Sequence, residues 1–221
     1  MYRWVALWLL SFAVLAGIDA ERLPAAVPLD VETILSHIEA RYGQGALLAH
    51  FDQTSVLKAM AIADKAEGRL WVRHPGQMRW EYTAPEKQVI VSDGVQLWVY
   101  RPEDRQVIVG QAPSFFGDGK GAGFLSDIRQ MRRQFNIELM DTNTDGKVGL
   151  RLTPHESQPD LVRIELGIDP QDWTIHTVTT YNAYGDETRI ELSDMMFVDR
   201  LDDALFHFQI PDGVEIMQMA P

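Results

Sequence analysis

Four groupings in this sequence have residue types and spacings that suggest chemistry, and each lacks a necessary member. Ser55-Val56-Leu57-Lys58 satisfies the S-x-x-K pattern of acyl-enzyme hydrolases, but the serine lies in a strand-like run and no K-T-G follows. Asp141-Thr142-Asn143-Thr144-Asp145-Gly146 matches the first half of a calcium loop, yet the position of the bidentate carboxylate is Leu152. Asp145-Gly146 between two apolar runs is better read as a hairpin turn. Gly119-Lys120-Gly121 has no Ser or Thr after the lysine, so it is not a phosphate loop. The six histidines (His37, His50, His74, His155, His176 and His207) show no metal-ligand spacing, and no G-x-S-x-G occurs. The chain also has no cysteine, which removes disulfides, thiolate metal sites, cysteine nucleophiles and cysteine lipidation together. Nothing here nominates a catalytic residue, a metal ligand or a cofactor.

The function classes narrow further on charge. With 32 Asp and Glu against 20 Lys and Arg, the net charge is −12. Nucleic acid and anionic bilayers demand clustered cations, so neither is an expected partner. A hydrophobic fraction of 46% over 221 residues is ample for one sizeable core.

The elements that must build that core follow from pattern. Met1 to Ala20 has one cation, Arg3, then an apolar run from Trp4 to Gly17 that is short for a membrane span. It reads as an export signal cleaved near Ala20, or near Ala26 because Ile18 fits the −3 position poorly. Residues 21–28 form a proline-bearing linker, and 29–221 one domain. Asp30 is placed as an N-cap ahead of an apolar stripe of Val31, Ile34, Leu35, Ile38 and Tyr42, and Gly43 and Gly45 stop that helix. About eleven strand candidates follow between residues 46 and 200, separated by turn signals too short for helical crossovers. The sheet is therefore expected to be antiparallel. A glycine-rich stretch, Pro113 to Gly123, precedes a second amphipathic helix with Phe124, Leu125, Ile128 and Met131 on one side. Asp202 to Phe206 reads as one helical turn before an exposed acidic tail.

The strands carry one anomaly. Leu70-Trp71-Val72, Val89-Ile90-Val91, Leu97-Trp98-Val99-Tyr100 and Val107-Ile108-Val109 are apolar on both faces, where a half-wet antiparallel sheet should alternate. Two architectures satisfy this: a two-sheet sandwich, or one curled sheet whose concave face keeps apolar surface for a ligand.

Gly68 to Pro102 breaks the tie by likeness. A glycine, an apolar-aromatic strand, Pro75-Gly76, Arg79-Trp80-Glu81-Tyr82, Pro85, Val91-Ser92-Asp93-Gly94 and Leu97-Trp98-Val99-Tyr100-Arg101-Pro102 follow in order. Phe51-x-Gln53, Gln106-Val107 and Leu201-Asp202-x-x-Leu205-Phe206-x-Phe208-x-x-Pro211-x-Gly213-Val214 extend the pattern. This closely resembles the LolA family of periplasmic lipoprotein carriers. The resemblance implies a mainly β fold, an incomplete antiparallel barrel with helices lidding its concave side. It implies a periplasmic, non-enzymatic carrier of lipoprotein acyl chains, without cofactor and expected to be monomeric. Its partners would be an ATP-driven (ABC-type) releasing complex of the inner membrane and an outer-membrane receptor.

By that resemblance Met78, Trp80 and Tyr82 line the cavity, with Phe51 and Trp98 as further candidates, and the helix carrying Ile34, Leu35 and Ile38 is a lid. A two-residue turn at Pro75-Gly76 would set Trp71 opposite Trp80, and a longer one Val72. The family places an arginine just before the proline to tether the lid, but this chain has His74 there with Arg73 beside it. Either Arg73 substitutes, or the lid is held more loosely, or opening follows pH through His74, unless His74 is only a turn residue. Two other readings stay open. Envelope-stress regulators of similar fold add a second domain, for which about 200 residues leave no room. A carrier of another apolar molecule would fit the pattern equally well.

Overall fold

The computed structural model describes residues 29–43, 45–112, 125, 128–140, 146–156 and 159–219. The expected export signal 1–20, the linker 21–28, the glycines of 117–123, Phe124 and residues 141–145 lie outside the described residues. Helix α1 spans Val31–Tyr42, and the Asp30 carboxylate caps it by accepting from the Thr33 N–H at 2.7 Å. The stripe faces inward as its spacing predicts, with Ile34, Leu35, Ile38 and Tyr42 buried.

Eleven strands follow between residues 46 and 198: β1 (Ala46–Leu57), β2 (Ile62–Arg73), β3 (Gln77–Ala84), β4 (Gln88–Asp93), β5 (Gln96–Arg101), β6 (Gln106–Gln111), β7 (Phe135–Met140), β8 (Val148–Pro154), β9 (Arg163–Ile168), β10 (Ile175–Tyr181) and β11 (Glu187–Val198). A short helix, α2 (Gln130–Gln134), precedes β7. A twelfth strand, β12 (Glu215–Gln218), lies in the tail and pairs with β6 in parallel, the one departure from antiparallel pairing. All twelve form one sheet in the order β12-β6-β5-β4-β3-β2-β1-β11-β10-β9-β8-β7. The two end strands do not pair, so the sheet remains open. One continuous core draws residues from β1 to β5 and from β7 to β11 together with α1, which a sheet achieves only by curling round it.

The doubly apolar strands are explained by cover on both sides. On the concave face the registers align Ala49, Leu70, Trp80, Ile90 and Val99 into one row. On the convex face Trp71, Arg79, Val91, Trp98 and Val109 form the alternating row. There the C-terminal segment supplies the lid. Asp203–Phe206 makes one turn of 3-10 helix capped by Asp202, and Phe206 is fully buried beneath the Arg73 guanidinium at 4.7 Å. Phe208 packs on Trp98 and Tyr100, with ring centroids 6.3 and 5.6 Å apart. Two expectations are corrected here. Trp98 faces away from the concave side, because its register partner is Val91 and not Ile90. Arg73 also belongs to the convex face, where it binds the Leu201 carbonyl and the Asp203 carboxylate, so it does not replace a lid arginine. The turn at His74–Gly76 has three residues and sets Leu70, neither Trp71 nor Val72, opposite Trp80.

Gly68 shows how tightly the concave face is fitted. The Phe51 ring lies across it, so a Cβ there would come within 2.8 Å of two ring carbons and closer still to the Glu81 carbonyl oxygen. A backbone oxygen cannot step aside, and overpacking of this kind costs about 1–3 kcal/mol. Gly68→Ala is therefore expected to lower the unfolding free energy by about that amount in urea titration. An unchanged midpoint would show that Phe51 does not need the gap.

Candidate functional site

The most concentrated apolar surface is the middle of the concave face. Phe51 on β1 meets Trp80 and Tyr82 on β3 edge to face, at centroid distances of 4.8 and 4.9 Å. Met78, two residues before Trp80, is fully buried on the same face. Burial pushes the Tyr82 phenol up to about 12, so it stays neutral, and its O–H donates to Gln53 Oε1 at 3.1 Å. Four of the five lining residues expected from sequence thus come together, and Trp98 does not join them.

Over this face lies α1, with Leu125, Ile128 and Met131 buried in the same core. The second amphipathic segment forms an α-helix over Gln130–Gln134, and Leu125, Ile128 and Met131 of its expected inward side are buried. What holds α1 down beyond its buried stripe sits at its rim. Tyr42 reaches the β9–β10 turn, where its hydroxyl accepts from the Ile175 N–H at 2.7 Å. Ile175 opens β10 just before a bulge that precedes Thr177, and the Tyr42 hydroxyl supplies the acceptor for its N–H. The exposed His37 ring stacks on Trp173 at 4.2 Å and 4°, with Trp173 held at a positive φ of 62°. Arg41 lies 4.0 Å over the Phe197 ring. Arg132 joins the two covers by pairing with Glu32 and Glu39. These pairs are partly solvated, and each is worth no more than about 1 kcal/mol. Trp173 and Arg132 carried no signal in the sequence, since neither belongs to a period or a motif.

The end of α1 rests where two turns meet. Gly43, His74, Pro75, Ile128 and Arg129 enclose a small cavity of about 170 Å³. The Ser92 hydroxyl donates to the Gly76 carbonyl and accepts from the Gly94 N–H, and Asp93 accepts from Val95 and Gln96. The Pro-Gly and V-S-D-G patterns are therefore a structural brace beneath the lid, and His74 sits on that brace beside both covers. At the opposite end of β1 to β5 the concave face runs out into an open cleft of about 930 Å³, bordered by Gln53, Ser55, Tyr82, Gln88 and Arg101.

One acidic cluster lies apart. Asp169, Asp172 and His176 place ligand atoms within 4.8 Å of one another at the β9–β10 turn. Thr174 occupies two of them, donating from N and Oγ1 to Asp172 and bonding His176 at 2.9 Å, while the Asp169 carboxylate accepts from the Gln171 N–H. Burial works to raise the Asp172 carboxyl, but the Thr174 hydrogen bonds and the Arg41 and His176 charges outweigh it and leave it below the usual range. The cluster reads as the brace of the turn that presents Trp173.

An open curled sheet, an apolar concave face and helices laid over it make one architecture with a covered apolar interior. Comparison with known proteins gives the family. The sequence model described as "Outer membrane lipoprotein carrier protein LolA" matches residues 44–209. The outer-membrane lipoprotein carrier protein of Bordetella pertussis is 28% identical, with 99% of each chain covered. Among solved structures, an uncharacterized conserved protein from Thermus thermophilus superposes with a TM-score of 0.56 at 12% identity, covering 85% of this chain and 98% of that one. MucB superposes with a TM-score of 0.50 at 14% identity, covering 84% of this chain and 64% of that one. Both likenesses concern the fold alone. The chain belongs to the LolA family.

Tyr42→Phe would leave the Ile175 N–H buried without its acceptor, at a cost of about 1–3 kcal/mol. Faster amide exchange in α1 is the expected signature, exceeding any change in β1 and β2. Unaltered α1 exchange would show that this bond does not hold the lid.

Proposed function

We propose that this protein is a periplasmic carrier that encloses the acyl chains of lipoproteins. It receives them from an ATP-driven releasing complex of the inner membrane and delivers them toward the outer membrane, to a receptor where one exists. The observation that carries this reading is an apolar concave face whose cover is fastened from the rim. Phe51, Met78, Trp80 and Tyr82 are the lining that cargo would meet, and Ile34, Leu35 and Ile38 are the lid surface it would displace. Both sets belong to or pack against one continuous core, so a carrier with its cover in place keeps its apolar surface out of water.

Magnitudes favour a lid that competes with cargo. A buried methylene contributes about 0.8 kcal/mol, so a chain of ~14 methylenes offers roughly 11 kcal/mol and three such chains about 33. Non-covalent affinity saturates near 18–21 kcal/mol, and a carrier must also release. Separating α1 from the concave face on loading offsets part of that gain.

The carrier reading predicts that Trp80→Glu, which sets a carboxylate in the lining, abolishes acyl-chain transfer while circular dichroism stays native. Retained transfer would place the cavity elsewhere. His74 is the proposed gate, since it touches the cavity between α1 and Ile128. Transfer by wild type is then expected to vary between about pH 5 and 8, and His74→Ala and His74→Arg to flatten that profile. If both variants match wild type across the range, His74 is a turn residue only.

A further inference from the structure

The concave face is graded along the strands. Across β1 to β5 the register rows run from Leu47-Val72-Met78-Ser92-Leu97, where the Ser92 hydroxyl is taken up by the Gly76 carbonyl, through Ala49-Leu70-Trp80-Ile90-Val99, to Phe51-Gly68-Tyr82-Gln88. Beyond that come Gln53 opposite Ala66 and Ser55 opposite Asp64. Hydrocarbon lining thus gives way to amide, hydroxyl and carboxylate within a few residues on the same strands. The polar rows border the 930 Å³ cleft. Tyr82 stands at the changeover, its ring against Phe51 and its hydroxyl bonded to Gln53, whose Nε2 donates in turn to Ser55.

Acyl chains do not account for this end. Pressing hydrocarbon onto Gln53, Ser55 and Gln88 would desolvate polar groups without replacing their hydrogen bonds. The charges bordering the cleft are mixed. Lys65, Lys87 and Arg101 face Asp64, Glu86, Glu103 and Asp104. Three cations among four anions give no concentration of positive charge to select a phosphate headgroup, which calls for clustered Arg or Lys. Alternating donors and acceptors over a long open cleft suit a hydrophilic, near-neutral stretch of polypeptide, whose own N–H and C=O groups need both kinds of partner.

We propose that the cleft seats the first hydrophilic residues of the polypeptide that bears the acyl chains. The protein would then grip its cargo across the junction of lipid and peptide, with Tyr82 at the boundary. This rests on the carrier reading and deepens it, because it makes a lipidated polypeptide a better ligand than the lipid by itself.

The test titrates the full chain with three ligands carrying the same two acyl chains: a diacylglyceryl-cysteine with a short Ser- and Asn-rich peptide, diacylglycerol, and phosphatidylglycerol. Wild type is expected to bind the peptide-bearing ligand at least ~10-fold tighter than diacylglycerol, the ratio that 1.4 kcal/mol represents. Ala66→Trp, which fills the cleft, and the surface double variant Arg101→Ala with Glu103→Ala should each erase most of that preference while diacylglycerol binding stays as in wild type. If Ala66→Trp does not fold, the double variant decides. Equal affinity of wild type for peptide-bearing ligand and diacylglycerol overturns the proposal, as does tightest binding of phosphatidylglycerol or an undiminished preference in the double variant. Failure of all three ligands to bind overturns the carrier reading itself, and the cleft's role with it.

Discussion

Burial of the α1 stripe against the concave face is the contact on which the rest of the structure depends. Without it the sheet would present Phe51, Met78, Trp80 and their neighbours to water, an apolar area far beyond what an isolated soluble protein exposes. With it, Ile34, Leu35 and Ile38 are fully or almost fully inaccessible. Among the described residues, α1 is tied by the Tyr42 hydrogen bond, the His37 ring stack, Arg41 over an aromatic ring and the Arg132 pairs. Hydrophobic contact is non-directional, so an apolar ligand can replace it piece by piece. On the proposed carrier reading, such a cover would hold against water and yield to an acyl chain.

The convex face obeys the opposite logic. Its cover is fixed to the strands by directional bonds: Arg73 to Leu201 and Asp203, and Arg79 to the Leu205 carbonyl. Phe206 seals the apolar row beneath. The same strands therefore carry a permanent core on one side and a negotiable one on the other. Alternation distributes the two roles, with Arg79 and Glu81 serving the convex side and Trp80 and Tyr82 the concave side of one short strand.

The helix, its cap and its buried stripe were legible because a 3.6-residue period and an aspartate before it are local signals. Strand count between residues 46 and 198 was legible for the same reason, since turn chemistry marks each interval. Facing was not. Trp98 and Val99 are equally apolar, and only the pairing of Val99 with Ile90 decides which one looks inward. The side on which Arg73 lies was equally hidden, because adjacency to His74 in sequence says nothing about a strand end where successive side chains point opposite ways. The role of the C-terminal segment was hidden for a further reason. Leu205, Phe206 and Phe208 show no strand or helix period, and they bury themselves against partners more than a hundred residues away. The polarity gradient of the concave face likewise becomes visible only once four registers are known together.

The short terminal strand β12 has a consequence for life at high concentration. A wide sheet that does not close into a cylinder has two rims, and a rim of free backbone groups invites a neighbouring molecule to add a strand. Here β6 is occupied by β12, anchored through Glu215 N–H to Arg105 O and Met219 N–H to Val109 O. Met219 folds in over Gly110, where no side chain competes for the space. At this end of the sheet the rim that remains is only four residues long, running Glu215 to Gln218 and opening with a carboxylate, while β7 forms the opposite rim. So brief a template gives a chain arriving at the β12 edge few bonds, and that edge gains protection from pairing with its own kind.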